Sequence, residues 1–259
     1  MATTVMADVE LSIPEVAETL DRTGFVCLEN VISPDWLQGA QENIRSRLAE
    51  YGEHDLCIIR PSSETDTPAH RLVNDPTVRA ILENLAVARC PRGVAENDEI
   101  YSVLRVLAGP EREATSFKFH YDAAVVTMLV PLFIPTEGAG RSGELVLFPN
   151  RRPFRRSVML NIFEKVITQN RFYRNRILRE FNRAPEKYSV QLKPGNVYLF
   201  WGYRTFHGNG PCAPNTVRAT LLLHYGNPHG GNPVLTAVKS VRRIVAPSSE
   251  HLEETVVRL

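Results

Sequence analysis

Apolar residues recur at helical spacing in the first third of the chain, and proline and glycine mark where the helices begin and end. A serine or aspartate that precedes a proline by one or two positions is a typical helix start, because the short side chain caps free N–H groups and proline fits the first turn. Gly24 is a typical helix end. We predict helices over 12–24 and 33–50, a third that begins at 75, and a short strand over 25–29.

From residue 99 the pattern changes to short apolar runs that Gly, Pro and Asn separate. The runs cover 100–107, 124–133, 143–148, 188–192, 196–200 and 218–225. Many short strands at regular spacing predict an antiparallel sandwich or barrel. One segment, 157–183, has apolar residues at helical spacing with arginines between them, and we predict that it is a helical insert between strands.

Composition narrows the class of protein. The 259 residues favour a single domain, with a mainly helical part (1–98), a β core (99–226) and a C-terminal extension (227–259). A net charge of +1 argues against a large nucleic-acid surface. No apolar run is long enough to span a bilayer, there is no secretory signal, and the four cysteines are scattered. We expect a cytoplasmic protein that engages neither membrane nor nucleic acid; the oligomeric state stays open.

The segment that contains His120 and Asp122 carries the first candidate chemistry. On a strand, residues two apart point to the same face, so both side chains can approach one metal ion. His207 lies among glycines at a predicted strand end and can supply a third ligand. Two histidines and one carboxylate on one face form the facial triad of non-haem iron(II) oxygenases, which leaves positions open for a co-substrate and O2. A lone His-x-Asp is a weak signal, since surface and capping pairs share it.

Arg218, eleven residues after His207, strengthens the metal hypothesis. It lies in an otherwise apolar strand, where a charge is costly unless it is paired. A guanidinium can hold a carboxylate through two parallel hydrogen bonds, and Thr220 faces the same way and offers a hydroxyl. An ion pair with an internal Asp or Glu is the alternative explanation.

These motifs, in this order, resemble the phytanoyl-CoA dioxygenase-like branch of the iron(II)/2-oxoglutarate oxygenases. The resemblance runs from about residue 11 to 226 and includes Thr23-Gly-Phe-Val-Cys-Leu-Glu, His120-Tyr-Asp122, Leu192-Lys-Pro-Gly195 and His207 with Arg218-Ala-Thr220. It implies a mainly β protein with a double-stranded β-helix (jelly-roll, cupin-like) core and flanking helices. It also implies iron(II) on His120, Asp122 and His207, with 2-oxoglutarate on Arg218 and Thr220 and O2 as oxidant.

The chain departs from the family after the strand that ends at Phe148. Family members often have Pro-Gly-Ser-His there, whereas this chain has Pro149-Asn-Arg-Arg152, and the helical insert follows. Both differences fall where such enzymes shape the substrate pocket. The substrate therefore cannot be transferred from the family name, and nothing in this chain argues for an acyl-CoA substrate. Because Asp122 is present, halogenation is not expected. The expected activity is oxidation of a small polar or anionic metabolite, by hydroxylation or by cyclisation or desaturation.

Four residues have weaker claims. Thr127 is a candidate contact of 2-oxoglutarate, and Arg105, Tyr121 and Arg152 are candidate substrate contacts, each with an ordinary structural role as the alternative. At the level of function, the alternative is a metal-binding isomerase or lyase of the cupin type, which would keep the triad but would not use 2-oxoglutarate or need Arg218. Two weaker alternatives are a zinc hydrolase and a non-catalytic protein that keeps an oxygenase fold but has lost the activity.

Overall fold

The computed structural model describes residues 5–7, 9–91, 94, 99–109, 116–136, 141–154, 170–228 and 256–258. Helices dominate the N-terminal part: α1 (Ile13–Thr23), β1 (Phe25–Leu28), α2 (Pro34–Tyr51), β2 (Leu56–Ile59), α3 (Pro68–Asn74) and α4 (Pro76–Arg89). Strands dominate the rest: β3 (Tyr101–Leu107), β4 (Val126–Phe133), β5 (Leu145–Phe148), β6 (Ser189–Val190), β7 (Val197–Phe200), β8 (Phe206–Asn209), β9 (Arg218–Tyr225) and β10 (Val256–Arg258). Helices α5 (Arg171–Arg183) and α6 (Pro185–Tyr188) come between β5 and β6.

The strands form two antiparallel sheets. The larger sheet has the order β1-β7-β4-β9-β3-β2-β10, and the smaller has the order β6-β5-β8. Sequence neighbours are rarely sheet neighbours, so the chain crosses repeatedly between the two sheets. The central strand β9 pairs with β4 on one side and with β3 on the other. In the β3 pair, Arg105 lies opposite Thr220 and Leu107 opposite Arg218.

Three apolar clusters bind the layers together. The largest joins helices α1 to α4 to one face of the larger sheet, with Leu20, Ile44, Leu82, Met128 and Leu221 all at most 2% exposed. A second cluster lies between the sheets, where Leu129 and Phe200 meet Leu145. The third covers the outer face of the smaller sheet, where Ile177 of α5 packs with Phe148 and Phe206. The order is therefore helices, large sheet, small sheet, helix, and the space between the sheets is available for a site.

Most predicted elements are confirmed. Strand β9 agrees residue for residue with the predicted run 218–225, and the other predicted strands agree within two residues at each end. Helix α1 ends at Gly24, whose φ of 90° favours glycine and whose N–H donates to the carbonyl of Leu20. Short elements escaped prediction: β2, α3 and β8 have too few residues to show a period.

Two predicted segments are described only in part. Helix α5 confirms the end of the helical insert, and residues 157–169 lie outside the described residues. Of the C-terminal extension, 227, 228 and the strand β10 are described, and β10 pairs with β2. Among the described residues, no helix combines the length and the apolar character that crossing a membrane requires.

The N-cap of α4 gives a test of the helical layer. Asp75 Oδ1 accepts hydrogen bonds from the N–H groups of Thr77 (3.0 Å) and Val78 (3.2 Å), and Oδ2 accepts one from Val5 (3.2 Å). Replacing Asp75 by Ala removes all three bonds and is expected to lower the free energy of unfolding by about 1–2 kcal/mol. Urea denaturation measures this, with Asp35→Ala, an exposed carboxylate in the first turn of α2, as the control. An equal loss in the two variants would contradict the capping role.

Candidate metal centre

The backbone brings His120 and His207 side by side. The N–H of each donates to the carbonyl of the other, at 2.9 and 3.0 Å, which makes them a hydrogen-bonded pair of antiparallel strands. His207 belongs to β8, whereas His120 forms an isolated bridge at the edge of the smaller sheet. The predicted strand around His120 and Asp122 is therefore wrong in detail: beyond the bridge, Asp122 is held by its own N–H bond to the carbonyl of Gly202 (3.0 Å).

Three ligand atoms converge on one point between the sheets. The Nε2 atoms of His120 and His207 each lie 3.6 Å from Oδ1 of Asp122, and one ligand atom from each residue lies within 4.8 Å of the others. The carboxylate and His207 are buried, with side-chain exposures of 8% and 4%, whereas His120 is 50% exposed. The triad therefore has one open side, at His120.

Both histidines present the same nitrogen to that point. Nδ1 of His120 lies 3.0 Å from the carbonyl of Lys118, and Nδ1 of His207 lies 3.0 Å from the carbonyl of Thr205. A carbonyl only accepts, so Nδ1 carries the proton and donates, and in the neutral ring the lone pair is on Nε2. Burial lowers the pKa of His207 to about 4, which keeps it neutral, as a metal ligand must be.

Asp122 is held from behind, on the side away from the histidines. Thr127 donates its hydroxyl to Oδ2 at 2.5 Å, and Nδ1 of His224 lies 3.1 Å from that hydroxyl oxygen. Because the hydroxyl proton goes to the carboxylate, Nδ1 of His224 is the donor in the second bond. Burial by itself raises the pKa of Asp122. The imidazoles of His207, His224 and His120 and the Thr127 hydroxyl outweigh burial and hold the pKa well below its usual range.

Gly202 allows this close packing. A Cβ atom at this position would lie 2.3 Å from the Thr127 hydroxyl oxygen and 2.7 Å from Oδ2 of Asp122, closer than real Cβ contacts. The larger sheet, which carries Thr127 and His224 on neighbouring strands, therefore meets the Asp122 segment only because residue 202 has no side chain.

The triad opens into a cavity of about 380 Å³ between the two sheets. Its apolar wall comes from both sheets: Val103, Leu129, Leu145, Phe200 and Leu222. Its polar lining beyond the triad comprises Arg105, Lys118, Asn209, Thr220 and His224, and Cys57 and Gly208 complete it. Pockets of this size with few polar groups are typical of small-molecule sites.

Arg218 lies at one end of this cavity, behind the residues that line it. It is fully buried, and its Nε donates to the carbonyl of Gly143 (2.8 Å). Its NH2 donates to Oδ1 of Asn209 (3.1 Å), and its NH1 lies 3.5 Å from the Thr220 hydroxyl oxygen. No carboxylate lies within 4 Å of it in the described part of the chain, so the ion pair that the sequence left as an alternative is not found there. Burial lowers the pKa of Arg218 to about 10, so it remains charged at neutral pH.

Structural comparison identifies the fold. No protein-family model and no curated protein sequence matches the chain. A prolyl-4-hydroxylase from Pseudomonas putida is 12% identical with a TM-score of 0.51, and covers 86% of this chain and 98% of its own. EctD from S. alaskensis, solved with 2-oxoglutarate and 5-hydroxyectoine, is 18% identical with a TM-score of 0.54, and covers 89% and 85%. SnoN, the non-haem α-ketoglutarate-dependent epimerase of nogalamycin biosynthesis, is 16% identical with a TM-score of 0.54, and covers 83% and 80%.

This chain has the double-stranded β-helix fold. The predicted mainly β class with flanking helices is therefore confirmed. Identities of 12–18% show the shared fold and leave the chemistry to be argued from the residues of this chain.

The double-stranded β-helix places three predicted site residues away from the cavity lining. The guanidinium of Arg152 lies between two rings, 4.0 Å from the centroid of Tyr121 and 3.7 Å from that of Tyr203, and its Nε donates to the carbonyl of Tyr203. Thr127 is covered by Asp122. These positions do not support the predicted contacts of Tyr121 and Arg152 with substrate, or of Thr127 with 2-oxoglutarate. Arg152 instead ties the loop between His120 and Asp122 to the turn that precedes His207.

Sequence reasoning missed Asn209, Gly202 and the role of His224. Asn209 follows His207 by two positions on β8 and so faces the same side, a spacing that could have revealed it. His224 lies in an apolar strand run, where a hydrogen-bonded core residue is the ordinary interpretation; it bonds to Thr127, and it also lines the cavity. The packing of Gly202 depends on strands far apart in sequence, which no local pattern shows.

The hydroxyl of Thr127 gives a test of the metal centre. Thr127→Val keeps the shape of the side chain and removes the bond that orients Asp122, and such supporting bonds are worth about 10- to 100-fold in metal affinity. We expect weaker binding of iron(II) or cobalt(II) by that factor in anaerobic titrations. Thr65→Val, at an exposed loop position, is the matched control. Equal affinity in the two variants would show that Asp122 needs no support from Thr127.

Proposed function

We propose that the protein is an iron(II)- and 2-oxoglutarate-dependent dioxygenase that oxidises a small polar or anionic metabolite. The observation that carries the proposal is the pair formed by the triad and Arg218: a three-ligand metal centre opens into a cavity, and a buried guanidinium without a carboxylate partner in the described structure lies behind the cavity wall. The sequence resemblance to the phytanoyl-CoA dioxygenase-like branch supports the same assignment.

The donor set suits iron(II). Two neutral imidazole nitrogens and one carboxylate oxygen on one side of a metal leave its other positions open, which is the arrangement of non-haem iron(II) oxygenases. The direction of all three ligands is fixed before the metal binds. The Nδ1 atoms of His120 and His207 donate to backbone carbonyls, and the Thr127 hydroxyl donates to Asp122. A structural zinc site would close with a fourth protein ligand, and the described residues provide three.

The far end of the cavity suits the free carboxylate of a diacid. Arg218 has five N–H donors, and three of its nitrogens have contacts with Gly143, Asn209 and Thr220. Asn209 and Thr220 line the cavity and bring an amide and a hydroxyl to the same place. We propose that Arg218, Asn209 and Thr220 hold the distal carboxylate of 2-oxoglutarate, whose keto-acid end would lie at the triad. The leucines 129 and 222 would flank its methylene groups.

The residues of this chain then act by binding and positioning. A bound iron(II) with 2-oxoglutarate would supply oxidation by O2, with decarboxylation of the diacid to succinate. His120, Asp122 and His207 fix the metal, and Arg218 fixes the diacid. The exposed side of His120 leaves an opening through which the substrate can approach the metal. Hydroxylation is the default outcome, and cyclisation or desaturation uses the same site.

An isomerase or lyase of the cupin type is the alternative function. It would use the triad and the cavity but has no need of a charge at Arg218, because it binds no diacid. Retaining a fully buried guanidinium is costly without an anionic partner. Consumption of 2-oxoglutarate therefore separates the two functions.

Substitution at Arg218 tests the co-substrate. With iron(II), 2-oxoglutarate and O2, the wild-type protein is expected to form succinate, slowly when no substrate is present. Arg218→Gln is expected to raise the 2-oxoglutarate concentration for half-maximal rate by about tenfold or more, because a charge-assisted bond is lost, while the affinity for iron(II) is unchanged. Succinate assays and metal titrations measure the two quantities.

Two further variants complete the test. Arg22→Gln, an exposed arginine of α1, is the charge-matched control and should leave both quantities at the wild-type value. Asp122→Ala should lose succinate formation. Succinate formation at the wild-type rate by Asp122→Ala, or none by the wild-type protein loaded with iron(II), would refute the proposed function.

A further inference from the structure

Arg105 presents a second guanidinium to the cavity, and its side chain is partly buried. It lies on β3, opposite Thr220 of β9 and Cys57 of β2, and all three line the cavity. Its Nε is buried, and within the described part of the chain that atom has no hydrogen-bond partner. No ion pair joins Arg105 to a described carboxylate. A polar atom in this state is rare in a folded protein unless a ligand or water satisfies it.

The two arginines also repel each other. Burial lowers the pKa of Arg105, and Arg105 contributes to the lowered pKa of Arg218. Two like charges beside one cavity, one in its lining and one behind it, destabilise the protein unless anions enter. Lys118 adds a further positive group to the lining, and the arrangement indicates that the cavity binds negative charge.

The co-substrate supplies an anion to only one of the two guanidiniums. Under the proposed function, the two charges of iron(II) are balanced by Asp122 and by the keto-acid carboxylate of 2-oxoglutarate. The distal carboxylate balances Arg218. Arg105 then faces the cavity with no anion from the co-substrate, and Asp55, the carboxylate that attracts it, forms no ion pair with it in the described structure, so a second anion can enter with the substrate.

We propose that Arg105 binds an anionic group, a carboxylate or a phosphate, of the substrate itself. The proposal rests on the proposed function, and it narrows the substrate from a small polar or anionic metabolite to one with an anionic end. Arg105 thus becomes a specificity-determining residue. Arg218 serves the co-substrate.

The surroundings of Arg105 indicate the rest of the molecule. Val103 lies between Arg105 and the metal end of β3, where Tyr101 is opposite His224. Arg105 and Tyr101 are four positions apart on the strand, a rise of about 13 Å. The wall along this path is apolar, with Val103 opposite Leu222. We infer an anionic group joined through an apolar segment of several bonds to the carbon that is oxidised.

The competing explanation is that Arg105 and Arg218 share the distal carboxylate of 2-oxoglutarate. Arg105 lies at the level of Thr220 on the neighbouring strand, so the register does not exclude sharing. Sharing would leave no separate cation for an anionic substrate, and the experiment separates the two roles directly.

The test measures binding to protein loaded with manganese(II) and N-oxalylglycine, an unreactive analogue of 2-oxoglutarate. The probes are hexanoate, hexyl phosphate and the neutral hexanamide. We expect at least one anionic probe to bind saturably and hexanamide not to bind, and the anion that binds identifies the carboxylate or phosphate class. Arg105→Gln should lower that affinity about tenfold or more and leave the affinity for N-oxalylglycine unchanged.

Three controls keep the outcome decisive. Arg22→Gln should bind the probes as wild type does, and Arg105→Lys should retain part of the anion affinity because it keeps the charge. Melting curves of each variant report whether it is folded. Tenfold weaker binding of N-oxalylglycine by Arg105→Gln, wild-type affinity of that variant for the anions, or equal binding of hexanamide would each overturn the proposal. Wild-type protein that forms no succinate refutes the proposed function instead, and the probe titrations need no turnover.

Discussion

Two backbone hydrogen bonds between His120 and His207 hold the metal-binding segment against β8, and the candidate site depends on that pairing. A hydrogen-bonded antiparallel pair places two side chains next to each other on one face of a sheet. The imidazoles therefore reach a common point although 86 residues separate them. The short segment after His120 then turns Asp122 towards the same point, and Gly202 leaves the space for it. Arg152, between the rings of Tyr121 and Tyr203, holds the two segments together from the other side.

The cavity shows how the fold separates packing from chemistry. The face of the larger sheet that meets helices α1 to α4 is apolar, and it provides most of the buried hydrophobic surface. The opposite face, between the sheets, carries Thr127, His224, Thr220, Arg218 and Arg105 among leucines and valines. Alternation along β9 assigns these polar residues to one side of the strand and Ala219, Leu221 and Leu223 to the other. On β9, the polar residues are thus confined to the face where a ligand can satisfy them.

The sequence predicted the part of this arrangement that local patterns encode. The strand run 218–225 is a mostly apolar segment with one buried charge, and both features follow from the residues alone. His120, Asp122 and His207 were found because metal ligation restricts residue type and spacing. Tyr121 and Arg152 were predicted to contact the substrate, because a sequence does not show which way a loop side chain points. In the structure, the packing of Arg152 between two aromatic rings determines their positions. Gly202 and Asn209 matter through contacts between elements distant in the chain, which require the folded sheets.

The central claim is that one metal and one diacid are bound together between the triad and Arg218. A crystal structure of the protein grown without oxygen with iron(II) and 2-oxoglutarate tests this most directly. The account predicts one metal ion on Nε2 of both histidines and Oδ1 of Asp122, with the keto-acid end of the diacid on that metal and its other carboxylate beside Arg218 and Thr220. A metal ion bound by other residues, or a diacid whose far carboxylate lies away from Arg218, would contradict it.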